Sequence, residues 1–169
     1  ELGISRTPLR DALLQLQAEG FVTFLPQRGI LINEVLEKDI KDIYEMLGAL
    51  DSRGLLSVFP RIGSAEIRQM KAINEEMLLQ VKEQAYYKYF DMNTLFHNVY
   101  LNLSDNTLLL NQLNILRQRL FDFGTKGEWI KKVQVLNYQE HVKLIELIEA
   151  GNADMAADFI RDVHCSINW

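Results

Sequence analysis

The sequence predicts a mostly α-helical chain: part of a winged helix-turn-helix, followed by an antiparallel all-α bundle of about six helices. Three observations predict it. Two of the three prolines and three of the nine glycines fall in the first 29 residues. Beyond them, leucine and isoleucine recur at helical spacing. Cap-forming and helix-breaking residues interrupt that spacing at short intervals.

Ser5 suits a helix N-cap and Pro8 its first turn. Leu9, Leu13 and Leu16 follow at helical spacing beside Ala12, and Gly20 stops the helix. Leu2-Gly3-Ile4 reads as the end of a preceding helix and its turn. Phe21–Leu25 and Ile30–Ile32 are short β runs around Pro26-Gln27-Arg28-Gly29, which makes a hairpin. Glu37 to Phe59 is apolar at Ile40, Ile43, Tyr44, Leu47, Leu50 and Leu55, and Pro60 ends that helix. Ser64 is expected to cap a helix to Gln84, and another spans Tyr86 to Leu103. Ser104-Asp105-Asn106 breaks the chain before a helix from Thr107 to Phe123, closed by Gly124. The last two helices run from Glu128 to Ala150 and from a cap at Asn152 to the C-terminus. The expected domains are residues 1–34 and 35–169.

Composition narrows the function. With 169 residues, 48% of them apolar, the chain can build a core. Its one cysteine excludes an internal disulfide framework and fits a reducing, cytoplasmic setting. No run of 18 apolar residues offers a membrane span. The start has neither a signal-peptide pattern nor an initiator Met, so a trimmed N-terminus is expected. A net charge of −5 argues against indiscriminate nucleic-acid binding but not against a few placed arginines.

Ser5-Arg6-Thr7-Pro8-Leu9-Arg10 opens the first helix. Recognition helices read base edges from their N-terminal residues. Arginine can donate two hydrogen bonds to guanine, and threonine can meet phosphate or a thymine methyl. Arg6 and Arg10 share a face. Arg28 at the hairpin tip can reach DNA, and Gly29 permits close approach. Spacing alone equally allows solvated arginines and an ordinary turn.

Three histidines fall on three predicted helices. His97 shares a face with Phe90, Asn93, Thr94 and Leu101, and His141 with Leu144, Ile145 and Ile148. His164 shares one with Ala157, Ile160 and Ile167. All three point toward a core, where both ring nitrogens need partners. Convergence on a divalent ion would supply one partner each. Without a short-range metal motif, periodicity favours three separately satisfied histidines.

The run Leu2-Gly3-Ile4-Ser5-Arg6-Thr7-Pro8-Leu9-Arg10-Asp11-Ala12-Leu13, with Leu16, Glu19-Gly20-Phe21-Val22 and Pro26-Gln27-Arg28-Gly29, resembles the winged helix of GntR-family bacterial transcription regulators. The resemblance implies operator contacts by Ser5, Arg6, Thr7, Arg10, Gln27, Arg28 and Gly29. The family also uses an arginine early in the preceding helix, outside this sequence, so weak DNA binding by this chain is expected.

Residues 38–169 resemble the FCD effector domain of FadR-type members. The marks are Asn93-x-x-Phe96-His97, Glu140-His141-x-x-Leu144-Ile145-x-x-Ile148-x-Ala150-Gly151-Asn152 and the late His164. Many such domains hold a divalent metal with one Asp and three His. The resemblance therefore implies zinc or nickel at His97, His141 and His164, with Asn93 in the carboxylate's place. Asp91 cannot substitute, being about 200° away around the helix. A Tyr-Glu-x-Arg run in the family reads Tyr44-Glu45-Met46-Leu47 here. Arg117 could supply a positive group to an effector, though a solvated surface arginine is the plainer reading, and Tyr100 is a second candidate contact.

The implied function is a homodimeric regulator. It senses a small organic or sugar acid at the metal and changes its grip on a palindromic operator. One alternative is the same regulator without metal, taking a larger effector such as an acyl-CoA; Tyr86, Tyr87, Tyr89, Phe90 and Tyr100 are aromatic enough to line its pocket, but core packing is their default explanation. A three-His metalloenzyme would need a base beside metal-bound water. Glu140 points about 100° away from His141, and no other acid has an obvious spacing, so no enzyme is expected. Cys165, rotated similarly from His164, reads as core or interface, Trp129 and Trp169 as packing or dimer contacts, and Lys131-Lys132 as a solvated face.

Overall fold

In a computed structural model of the chain, the residues described are 5–82, 86–121 and 129–166. Leu2–Ile4, Phe123, Gly124, Ile167 and Trp169 lie outside them, as do the side chains of Tyr86, Tyr87, Trp129, Lys131 and Lys132. The chain divides into two compact units, up to Leu36 and from Glu37 onward.

The first unit begins with helix α1, Arg6–Ala18. Ser5 takes the extended N-cap backbone, but its hydroxyl makes no capping bond. The helix closes in a Schellman arrangement: Phe21 N–H donates to Leu16 O at 2.8 Å and Gly20 N–H to Gln17 O at 3.1 Å. Gly20 makes this possible with φ +83°, where a Cβ would be strained. That closure takes up Phe21, so strand β1 is Val22–Leu25, one residue shorter than expected. It pairs antiparallel with β2, Gly29–Ile32, from Val22 opposite Ile32 to Leu25 opposite Gly29. Arg28 N–H donates to Leu25 O at 3.0 Å across the turn, with Gln27 in the left-handed region at φ +59°. Asn33 ties hairpin to helix: its amide donates to Gly20 O at 2.9 Å and accepts from Thr23 Oγ1 at 2.8 Å.

Among the described residues, the second unit contains six α-helices: α2 Glu37–Val58, α3 Ser64–Lys82, α4 Tyr86–Leu101, α5 Thr107–Phe121, α6 Trp129–Glu149 and α7 Ala153–Phe159. Pro60 turns α2 into a short 3-10 segment, Phe59–Arg61. Ser64 is the first residue of α3 rather than its cap. The Glu66 carboxylate reaches back one turn and accepts the Gly63 N–H at 2.8 Å. Asn106 does cap α5, its side-chain oxygen accepting Leu109 N–H at 3.0 Å. Asn152 stands at the N-cap of α7 without a side-chain bond. Beyond α7 the chain widens into a π turn, Ile160–His164, in which Cys165 N–H reaches Ile160 O at 2.9 Å.

Helix α3 packs on α4 and α6, and α2 packs on α5, α7 and the π turn. The core between them includes Ile40, Leu55, Met70, Phe96, Leu113, Leu144 and Ile160. Gly48 lets α2 meet the C-terminal segment, since a Cβ there would lie 2.9 Å from Cys165 Cβ and 3.2 Å from the Arg161 backbone. Among the described residues, no helix is long and apolar enough to cross a membrane.

Candidate functional site

The three histidines meet. His97 comes from α4, His141 from α6 and His164 from the π turn, with one ring nitrogen of each within 4.8 Å of the others. Each Nδ1 is held from outside. His97 Nδ1 lies 2.9 Å from Tyr100 Oη and 3.1 Å from Asp51 Oδ2. His141 Nδ1 lies 3.1 Å from Asn74 Oδ1, and His164 Nδ1 lies 2.8 Å from Glu140 Oε2. Asn74 is itself oriented, because its amide nitrogen donates to Tyr138 O at 3.2 Å and leaves its oxygen toward His141.

These acceptors put the proton of each neutral imidazole on Nδ1 and a lone pair on Nε2. His97 Nε2 and His164 Nε2 then face each other at 3.1 Å, and His141 Nε2 is buried without a partner. One turn before His97, Asn93 Oδ1 is also buried without a partner. Unmet buried acceptors are costly and call for an explanation. A divalent cation fits three imidazole lone pairs and an amide oxygen. Phe96 stacks on His141, ring centroids 3.8 Å apart, and limits its rotation.

Burial lowers the His97 pKa to about 4 and pushes His141 well below its ordinary value, so both rings stay neutral and able to ligate. Burial pushes the Asp51 carboxyl up, but His97, Arg117 and Tyr100 outweigh that and hold it at about 2. Asp51 accepts from Tyr100 Oη and pairs with Arg117 Nη2 at 2.9 Å. Arg117 Nη1 also donates to Asn98 Oδ1 at 2.9 Å. The plainer sequence reading of Arg117, as a solvated surface residue, is therefore corrected: its side chain is 12% exposed and ion-paired. Helix α5 carries it inward on the edge of the Leu113/Leu120 face.

A cavity of about 510 Å³ adjoins the histidines. Asn93, His97, His164, Asp51 and Arg117 line it, with Tyr44, Leu47 and Leu120 as apolar wall. Asp91, Leu95, Asn114 and Gln118 line it with exposed side chains. Tyr100, expected as an effector contact, is fully buried and not a lining residue, because its hydroxyl serves Asp51. Burial pushes the Cys165 thiol pKa up, leaving it a poor nucleophile. Asp51, Asn74 and the Glu140–His164 contact were missed in the sequence reading. Asp51 had a signal: it sits one turn after Leu47 and one before Leu55, inside a buried stripe.

In the first unit, Ser5, Arg6, Thr7 and Arg10 are exposed on and just before α1, and Gln27, Arg28 and Gly29 are exposed at the hairpin turn. No described residue of α1 is buried, with Leu9 and Leu16 about two-fifths exposed.

Comparisons with known proteins bear on both units. Residues 42–163 match the FCD domain, and residues 1–32 match the bacterial regulatory proteins of the gntR family. The Nta operon transcriptional regulator of Aminobacter aminovorans is 27% identical over 163 residues, covering 95% of this chain and 74% of that protein. The uncharacterized HTH-type transcriptional regulator YdhC of Bacillus subtilis is 22% identical, covering 94% of this chain and 71% of its own. Among solved structures, E. coli McbR/YncC superposes with a TM-score of 0.79 at 15% identity, over 96% of this chain and 78% of that one. A GntR regulator from Rhodococcus sp. RHA1 gives 0.70 at 15% identity, over 95% and 76%. These structural likenesses show the shared fold. With both of its units matched, the chain belongs to the GntR family of bacterial regulatory proteins, in the branch that carries an FCD domain, and is a transcription regulator rather than an enzyme.

Proposed function

We propose that this regulator senses a small organic or sugar acid at a divalent metal, zinc or nickel, held by His97, His141, His164 and Asn93. The carrying observation is the polarity of the three rings: every Nδ1 is anchored outward and every Nε2 turned inward. When bound, the metal supplies a Lewis-acidic attachment point for a carboxylate. Asn74, Asp51 and Glu140 orient the imidazoles, and Arg117 holds Asp51. The cavity volume, about 510 Å³, suits a compact metabolite.

In this reading residues 35–169 form the effector and dimerisation domain. Residues 1–34 contact operator DNA through Ser5, Arg6, Thr7, Arg10, Gln27, Arg28 and Gly29 in the bacterial cytoplasm. Effector binding shifts the homodimer between two states that differ in operator affinity. Elemental analysis of the purified protein, beside His97→Ala, tests the centre. The expected result is one divalent ion per chain, lost in the variant. A protein that carries no metal and takes none up on titration would sink the proposal.

A further inference from the structure

The donors at this centre bring no negative charge to an ion: three imidazole nitrogens and one carboxamide oxygen. The ionised groups behind them nearly cancel. Asp51 is paired with Arg117 at 2.9 Å, which leaves Glu140, on His164, as the one unpaired carboxylate in contact with the histidines among the described residues. A divalent ion therefore leaves a net charge of one positive unit on the buried groups, since the Asp91 carboxylate that also lines the cavity is exposed to solvent. Uncompensated charge in such surroundings is strongly disfavoured. Asn93, His97 and His164 line the cavity, so three of the four candidate donors border space that a small ligand could occupy.

From this we propose that metal and a monoanionic oxygen ligand bind this protein as a coupled pair, and that the neutral Asn93 is the residue that couples them. The inference rests on the metal-site reading above and adds what that reading lacks, an order of dependence. The ion is held loosely alone and firmly when an anion completes both its coordination and its charge. The same coupling makes the anion's affinity depend on the ion, by the same factor. A carboxylate at position 93 would supply the missing charge from within the chain and relieve the dependence.

Calorimetric titration of the metal-free full chain with nickel(II) perchlorate, with and without glycolate, tests this. Glycolate should tighten nickel binding by about tenfold or more. Asn93→Asp should bind nickel about tenfold more tightly than the parent without glycolate, and glycolate should then add little. Asn93→Ala removes the oxygen without adding charge. It should weaken nickel binding overall while keeping the glycolate effect, which separates charge from coordination. Equal nickel affinity with and without glycolate in the parent overturns the coupling and leaves the metal site standing. Full coupling in Asn93→Asp overturns the role of Asn93. No nickel uptake by parent or Asn93→Asp overturns the metal site and the coupling together.

Discussion

Replacing Asp51 by Asn keeps its shape and removes its charge. Arg117 is then left in a largely buried position without its counter-ion, and His97 loses a charged acceptor. Removing one partner of a buried pair costs about 3–5 kcal/mol. Urea unfolding should show that loss, and metal affinity should fall by about 10–100-fold, as for other groups that orient a ligating imidazole. Unchanged stability would mean Arg117 finds another partner. The histidines add a pH dependence. Burial holds His97 at about 4 and His141 well below its ordinary value, whereas both titrate near 6.5 when unfolded. Below 6.5 the unfolded chain thus binds more protons than the folded one. Stability present above that pH is lost as the pH falls toward 4, and Asp51, held at about 2, extends the loss further down. A Tm of the metal-free protein that stays flat from pH 7 to pH 4 would contradict this. At this scale the histidines were legible because they are few and each lies on an apolar face. The role of Asp51 was not, since its burial depends on Arg117, 66 residues away and on another helix.

At the scale of elements, α2 packs tightly against the C-terminal segment at Gly48. Gly48→Ala places a methyl 2.9 Å from Cys165 Cβ and so pushes on the residue after His164. The overpacking should cost about 1–3 kcal/mol. It should also weaken metal binding although no ligand has changed. A destabilised variant with parental metal affinity would show that the π turn moves as a rigid piece. Helix α2 was readable almost to the residue, since its apolar spacing and Pro60 are local signals. The π turn was not. Ordinary helical spacing puts His164 on the Ile160 face, whereas in the wider winding it meets Glu140 and His97, contacts that no local sequence signal announces. Likewise the hydroxyl of Ser5 and the amide of Asn152 stand where caps belong yet make no capping bond, because propensity specifies position better than geometry.

At the scale of the whole molecule, the proposed function gives each compact unit its own task. Arg6→Ala or Arg10→Ala should weaken operator binding by about 1–3 kcal/mol in a gel-shift or anisotropy titration, if these arginines reach base edges. Metal content should stay at the parental value in both variants. Operator binding unchanged in both would contradict the recognition role. The charge follows the same division: residues 1–34 carry three basic and four acidic side chains, and residues 35–169 carry 15 and 19. The acidity of the chain therefore belongs mostly to the helical unit.

The cluster also has a consequence in time. Its rings come from residues 97, 141 and 164, so two of the three are in place well before the third has been synthesised. A nascent chain on the ribosome can build α4 and α6 and still lack the nitrogen that closes the ring set. At the proposed metal site, capture then waits for a chain translated past His164, and a product terminated before it would be left with two of the three imidazoles.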